Sequence, residues 1–160
     1  MNAQLAGFRA LPLAIAQLSL PAVLKCGQSF RWQSIPIPSE TVGSSTSPHA
    51  STDHEWRLTL QDRVICLRQT PTTLFYRTVF PESASLTEPG DHEDAKTLTW
   101  IRDYFQLDID LEHLYKDWSG RDSVFNGIKD RFSGIRILRQ DPWENLVSLV
   151  QVFVHCFTHY

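Results

Sequence analysis
The hydrophobic pattern of this chain changes period once, and that switch restricts the fold more than any other feature. Up to about residue 80, apolar residues favour every second position, the repeat of a half-buried strand. From about residue 91 they recur at three and four, the repeat of an amphipathic helix. Trp56, Leu58 and Leu60 mark one face of a strand, Val64, Cys66 and Arg68 a face of the next, and Gln61-Asp62 a tight link between them. Residues 73–80 add a β-branched and aromatic strand. Upstream, residues 17–24 and 29–33 read as short extended pieces around a corner at Cys26-Gly27, so five strands can share one antiparallel sheet. Residues 35–54 hold Pro36, Pro38 and the run Gly43-Ser44-Ser45-Thr46-Ser47-Pro48. They bury too little apolar surface to offset their ordering entropy, so a flexible surface loop is expected.

In the second half, Leu98, Ile101, Arg102 and Phe105 lie at helical spacing behind the acidic residues Asp91, Glu93 and Asp94, which favour a helix N-terminus. Leu111, Leu114, Tyr115 and Trp118 predict a second helix capped by Asp110. Val124, Phe125, Ile128 and Phe132 predict a third that begins near Asp122 and ends at Gly134. Asp141 followed by Pro142 reads as the cap and first turn of a fourth. The expected fold class is therefore α+β, with a sheet domain over residues 1–90 and a helical segment over residues 91–160, without internal repeats.

Charge gives little guidance until it is divided by position. The net value of -3 lacks the basic excess of many nucleic-acid binders, and ten of the eighteen acidic residues fall within residues 82–117. Residues 118–141 turn positive through Arg121, Lys129, Arg131, Arg136 and Arg139, which fit either a DNA-facing strip or a solvated helix face. Three scattered cysteines, Cys26, Cys66 and Cys156, suggest no disulfide framework and fit a reducing compartment. His155 and His159 have zinc-like spacing but no paired cysteines to complete a tetrahedral set, so no metal is expected. The broken apolar stretch of residues 11–24 does not read as a secretion signal. Residues 146–157 are apolar over a shorter run than the roughly 20 residues a membrane span needs.

Two blocks are more specific. Gly27-Gln28-Ser29-Phe30-Arg31-Trp32 reads GQSFRW; farther on, Tyr104-Phe105-Gln106-Leu107-Asp108 is followed by Leu111, Leu114-Tyr115, Trp118 and the run from Gly134 through Arg139-Gln140-Asp141-Pro142 to Glu144. In order and spacing they resemble the eukaryotic 8-oxoguanine DNA glycosylases, with their GQSFRW, YFxLD, LxxLY and GxRxLRQDPxE elements. The resemblance implies a sheet domain similar to half of a TATA-binding protein, leading into the first helices of a helix-hairpin-helix domain. It further implies a monomer of the nucleus, or of nucleus and mitochondrion, that needs no cofactor and acts on damaged double-stranded DNA. Such enzymes extrude the damaged guanine, and a lysine amine attacks the sugar C1′.

In that family the motif glycine offers its main-chain carbonyl to N7-H, a hydrogen that 8-oxoguanine has and guanine lacks; Gly27 takes this place here. Read on its own residues alone, Gly27 fits a turn glycine better. Phe30 and Trp32 alternate as if in a strand, which favours core aromatics over base-stacking residues, and leaves Arg31 on the other face, solvated or salt-bridged. Arg139 suits either a phosphate near the helix start or a pairing with Asp141 or Glu144. Gln28 carries no role beyond the motif.

The likeness ends near Leu149. The family's asparagine run, its later hairpin and its catalytic lysine have no counterpart, and Lys25, Lys96, Lys116 and Lys129 all lie outside the lysine's motif. No catalytic residue is therefore assigned, and the chain is expected to be a truncated, inactive part of a glycosylase and lyase. A DNA-binding module and a protein-interaction fragment built on residues 146–157 are the alternatives.

Overall fold
The computed structural model describes residues 5–25, 29–37, 54–81 and 91–158. Strand β1 (Arg9–Pro12) is followed by helix α1 (Leu20–Lys25) and by strands β2 (Gln33–Pro36), β3 (His54–Leu60), β4 (Arg63–Gln69) and β5 (Thr73–Val79). Helices α2 (Asp91–Tyr104), α3 (Leu111–Arg121), α4 (Ser123–Ile128) and α5 (Pro142–Thr158) then complete the order, with a 3₁₀ turn at Lys129–Phe132. The strands form one antiparallel sheet in the order β1-β5-β4-β3-β2. The architecture is α+β, with α1 between β1 and β2 and the other helices after the sheet.

One face of the sheet supplies Trp56, Leu58, Ile65, Leu67, Leu74 and Tyr76 to the core, where they meet Leu18, Leu20 and Val23 around α1 and Ile101, Tyr104 and Phe105 from the end of α2. Side chains from residues on either side of position 90 thus share one apolar cluster. Removing such groups from water is the main favourable contribution to folding.

The five strands are not the five expected. Residues 20–25 are helical, and the first strand is Arg9–Pro12. Pro21 does not oppose the helix, because its missing N–H falls in the first turn, where no intrahelical partner exists. Leu20, Val23 and Leu24 are all buried. The buried Gln69 side chain fixes the helix start, accepting from Leu20 N at 2.9 Å and donating to the Leu18 carbonyl at 2.5 Å. Strand β1 pairs with β5 at the sheet edge, where a terminal proline is tolerated. Ile35 and Pro36 belong to β2 and His54 to β3, so both ends of the expected loop are strand; residues 38–53 lie outside the described residues.

Val64, Cys66 and Arg68 share one face of β4, and the core-facing side is the opposite one. Ile65, Leu67 and Gln69 point into the core, whereas Cys66 and Arg68 join the far side of the sheet. That side is held by Glu55, only 1% exposed, which binds Arg57 at 2.5 Å and Arg68 at 2.7 Å. Phe8 lies beneath the guanidinium groups of Arg68 and Arg77 at 4.8 and 4.9 Å.

The helical half follows its capping signals, although the expected third helix stops at Ile128 and gives way to the 3₁₀ turn at Lys129–Phe132. Asp110 caps α3 by accepting from His113 N, and Asp122 caps α4 by accepting from Val124 N and Phe125 N. Asp141 accepts from Trp143 N and Glu144 N at the start of α5. Among the described residues, no helix is long and apolar enough to cross a membrane.

Candidate nucleic-acid interface
The two motif blocks meet in space although they lie far apart in sequence. Arg31 donates to Glu144 across 113 residues and also to the Thr59 carbonyl at the end of β3. Behind it, Trp32 is buried and donates through its indole N–H to the Tyr104 hydroxyl at 3.0 Å; the Ser29 hydroxyl lies 3.3 Å from the same oxygen. Burial pushes the Tyr104 phenol above its ordinary value, so it stays protonated at neutral pH. The main chain of Tyr104 reaches the second block as well, because its carbonyl accepts from Arg139 N at 2.8 Å. Tyr104 therefore holds both motifs, by its side chain and by its backbone.

Between them lies a cavity of about 90 Å³, lined among others by Phe30, Arg31, Trp100, Arg139 and Glu144. Ligand pockets generally begin at roughly 300 Å³, so these walls are too close to enclose a base. They form one side of a recess.

The expected site residues separate here. Trp32 is a core aromatic, as its alternation suggested, but residues 29–32 precede the strand, and Phe30 is 59% exposed. Arg31 is salt-bridged. Arg139 pairs with Asp103 at 3.0 Å, a partner offered by α2 and invisible in the local sequence around Asp141 and Glu144. Gly27 and Gln28 lie outside the described residues.

The positive residues from Arg121 to Arg139, read as either a DNA-facing strip or a solvated helix face, do not all lie on the surface. Arg136 is only 6% exposed and donates to the carbonyls of Gln17, Gln106 and Ile109. Arg121 pairs with Asp117 at 2.9 Å and Lys129 donates to Ser119. These contacts turn the cations toward intramolecular partners. Among the described residues, no cluster of three or more His, Cys, Asp or Glu side chains could hold a metal ion.

The antiparallel sheet carries α1 and α2 on one face, and a recess lies between residues 29–32 and the capped start of α5. The family model of the 8-oxoguanine DNA glycosylase N-terminal domain matches residues 10–146, and the chain belongs to that family.

An N-glycosylase/DNA lyase of Saccharomyces cerevisiae is 31% identical over 145 residues, covering 89% of this chain and 34% of its own length. The N-glycosylase/DNA lyase OGG1 of Arabidopsis thaliana is 27% identical over 147 residues, covering 88% of this chain and 32% of its own. The solved structure of MBOgg1 with a low-affinity DNA ligand superposes with a TM-score of 0.60 at 25% identity, covering 90% of this chain and 39% of that one. The apo 8-oxoguanine glycosylase/lyase of Clostridium acetobutylicum shares the fold, with a TM-score of 0.51 at 23% identity, over 80% of this chain and 34% of its own. The chain thus spans about a third of the length of the curated relatives it matches.

Proposed function
We propose that this chain supplies the lesion-reading part of a bifunctional 8-oxoguanine DNA N-glycosylase and lyase acting on oxidised purines in duplex DNA, and that it does not supply the nucleophile. The meeting of the GQSFRW and RQDPxE blocks through Arg31, Glu144 and Tyr104 is the observation that carries the reading. Gly27 stands two residues before the held segment in sequence. Its carbonyl is an acceptor suited to N7-H of the oxidised base; normal guanine would bring a second acceptor there, and two facing acceptors leave both unsatisfied. The 90 Å³ recess needs further walls to enclose a base, in keeping with a chain spanning a third of its relatives' length.

The test exchanges this chain for the matching third of the Saccharomyces cerevisiae relative and follows single-turnover release of 8-oxoguanine. Release is expected, and Gly27→Ala should slow it by roughly two- to tenfold, the worth of one neutral hydrogen bond, with crowding adding to the loss. Unchanged release in a well-folded Gly27→Ala protein would reduce Gly27 to a turn residue, and no release by the exchanged parent would contradict the proposed function.

A further inference from the structure
We infer that Tyr104 and Glu144 are positioning residues for the lesion-reading segment, setting through Ser29, Arg31 and Trp32 the point from which the chain leads back to Gly27. The inference rests on the proposed function for its biological meaning, but the geometry stands by itself. Residues 29–32 have no ladder of strand hydrogen bonds to fix them, since β2 begins only at Gln33. Side chains hold the segment instead, at three of its four positions.

Ser29 and Trp32 converge on the single hydroxyl of Tyr104, at 3.3 and 3.0 Å. An indole N–H can only donate, so the Tyr104 oxygen must accept from Trp32, and its own proton is left for Ser29 or for solvent. The Tyr104 ring cannot swing away, because it stacks on Trp100 at 4.6 Å and meets Phe105 edge-on at 5.0 Å. Arg31, between these two attachments, is forked: one amino group takes Glu144 and the other the Thr59 carbonyl. A forked guanidinium with two fixed acceptors defines direction as well as distance, which a lysine ammonium would not. Glu144 is itself placed by the first turn of α5, where its N–H is bound by the Asp141 cap at 3.0 Å.

Phe30 is the exception among the four. Its ring is 59% exposed on the wall of the recess, as a side chain would be if its backbone were held by its neighbours and its ring left available. The aromatic is therefore presented by the clamp and takes no part in it.

Two single substitutions on the intact chain test this. Tyr104→Phe removes one oxygen without altering the stack, and Glu144→Gln removes the charge while keeping the length. Hydrogen exchange is read on the peptide covering residues 26–33, beside thermal unfolding, and the ratio of affinities for an 8-oxoguanine duplex and an undamaged one is read on the chain exchanged into the Saccharomyces cerevisiae relative. Exchange in that peptide should accelerate by roughly two- to tenfold, what the loss of one hydrogen bond allows, with exchange in β3 to β5 unchanged. The affinity ratio should fall while binding of the undamaged duplex stays constant, a split that a merely structural role would not produce. Unchanged exchange at residues 26–33 would overturn the clamp. Faster exchange with an unaltered affinity ratio would overturn its role in reading the lesion. A ratio of one for the unsubstituted exchanged protein would instead count against the proposed function, while exchange would still decide whether Tyr104 and Glu144 hold the segment.

Discussion
Arg136 and Gln17 are joined twice: the guanidinium donates to the Gln17 side-chain oxygen at 2.9 Å and to its main-chain carbonyl, across 119 residues of sequence. Further bonds reach the carbonyls of Gln106 and Ile109, each at 2.8 Å. One buried side chain thereby ties the segment before α1, the turn after α2 and the approach to α3. Burial lowers the guanidinium below its ordinary value, yet an arginine remains charged at any working pH.

Arg136→Ala should therefore destabilise the fold by about 3 kcal/mol, because three partly buried carbonyls lose a charged donor together. Arg121→Ala, which removes an exposed ion pair, should change stability little. Denaturant midpoints of the two variants check the contrast, and equal midpoints would contradict it.

Gly134 requires its lack of a side chain. Its φ is +75°, and a Cβ there would stand 2.1 Å from the Ile15 carbonyl oxygen and 2.7 Å from Ser19 N. Both neighbours are backbone, and Ser19 N already donates to the Gly134 carbonyl at 2.8 Å. Gly134→Ala should cost about 3 kcal/mol, from left-handed strain and the clash together, read as a lowered thermal midpoint. Gly120→Ala, where a Cβ meets nothing within 4 Å, is the control and should be neutral or slightly stabilising.

Much of this was legible in the sequence, for local reasons. Asp110, Asp122 and Asp141 each precede an apolar helical repeat, and a cap acts on backbone N–H groups two or three residues away. Arg136 was not legible, because its acceptors come from residues 17, 106 and 109. A faint signal exists in the alternation of residues 135–138: Arg136 and Leu138 are buried, while Ile135 and Ile137 are 37% and 81% exposed. The polarity is inverted, and an arginine inside with isoleucines outside marks a buried polar node. Helix α1 was hidden by Pro21, and the buried side of β4 by Glu55, whose burial depends on arginines from two strands. Of the candidate site, the motifs could be read but not their meeting, since Tyr104 and Glu144 become partners of Trp32 and Arg31 only in the fold.

Glu55 gives the protein a defined response to acid. Burial alone would raise its carboxyl, but hydrogen bonds and charge from Arg57 and Arg68 outweigh it and hold the group below its usual value of 4.5. A depressed carboxylate contributes stability that is complete above the unfolded value and disappears as pH falls through the folded one. Stability should therefore drop on acidification below about pH 4.5. Glu55→Gln should flatten that drop while costing on the order of 2 kcal/mol at pH 7, less than for a fully buried pair, because Arg57 is partly exposed. Unfolding curves between pH 3 and 7, taken at roughly single-unit steps, distinguish the two profiles. A variant with the parent's pH dependence would remove Glu55 from this role.

The division of labour between lesion reading and bond breaking is tested most directly by borohydride trapping on an 8-oxoguanine duplex. The chain by itself should form no covalent complex, because Lys25, Lys96, Lys116 and Lys129 all lie outside the family's lysine motif. Placed in the Saccharomyces cerevisiae relative in exchange for the matching third, it should yield a trapped adduct on a lysine contributed by the relative, with lesion DNA and not with undamaged DNA. An adduct mapped to a lysine of this chain, or an exchanged protein that traps undamaged DNA equally well, would contradict the account.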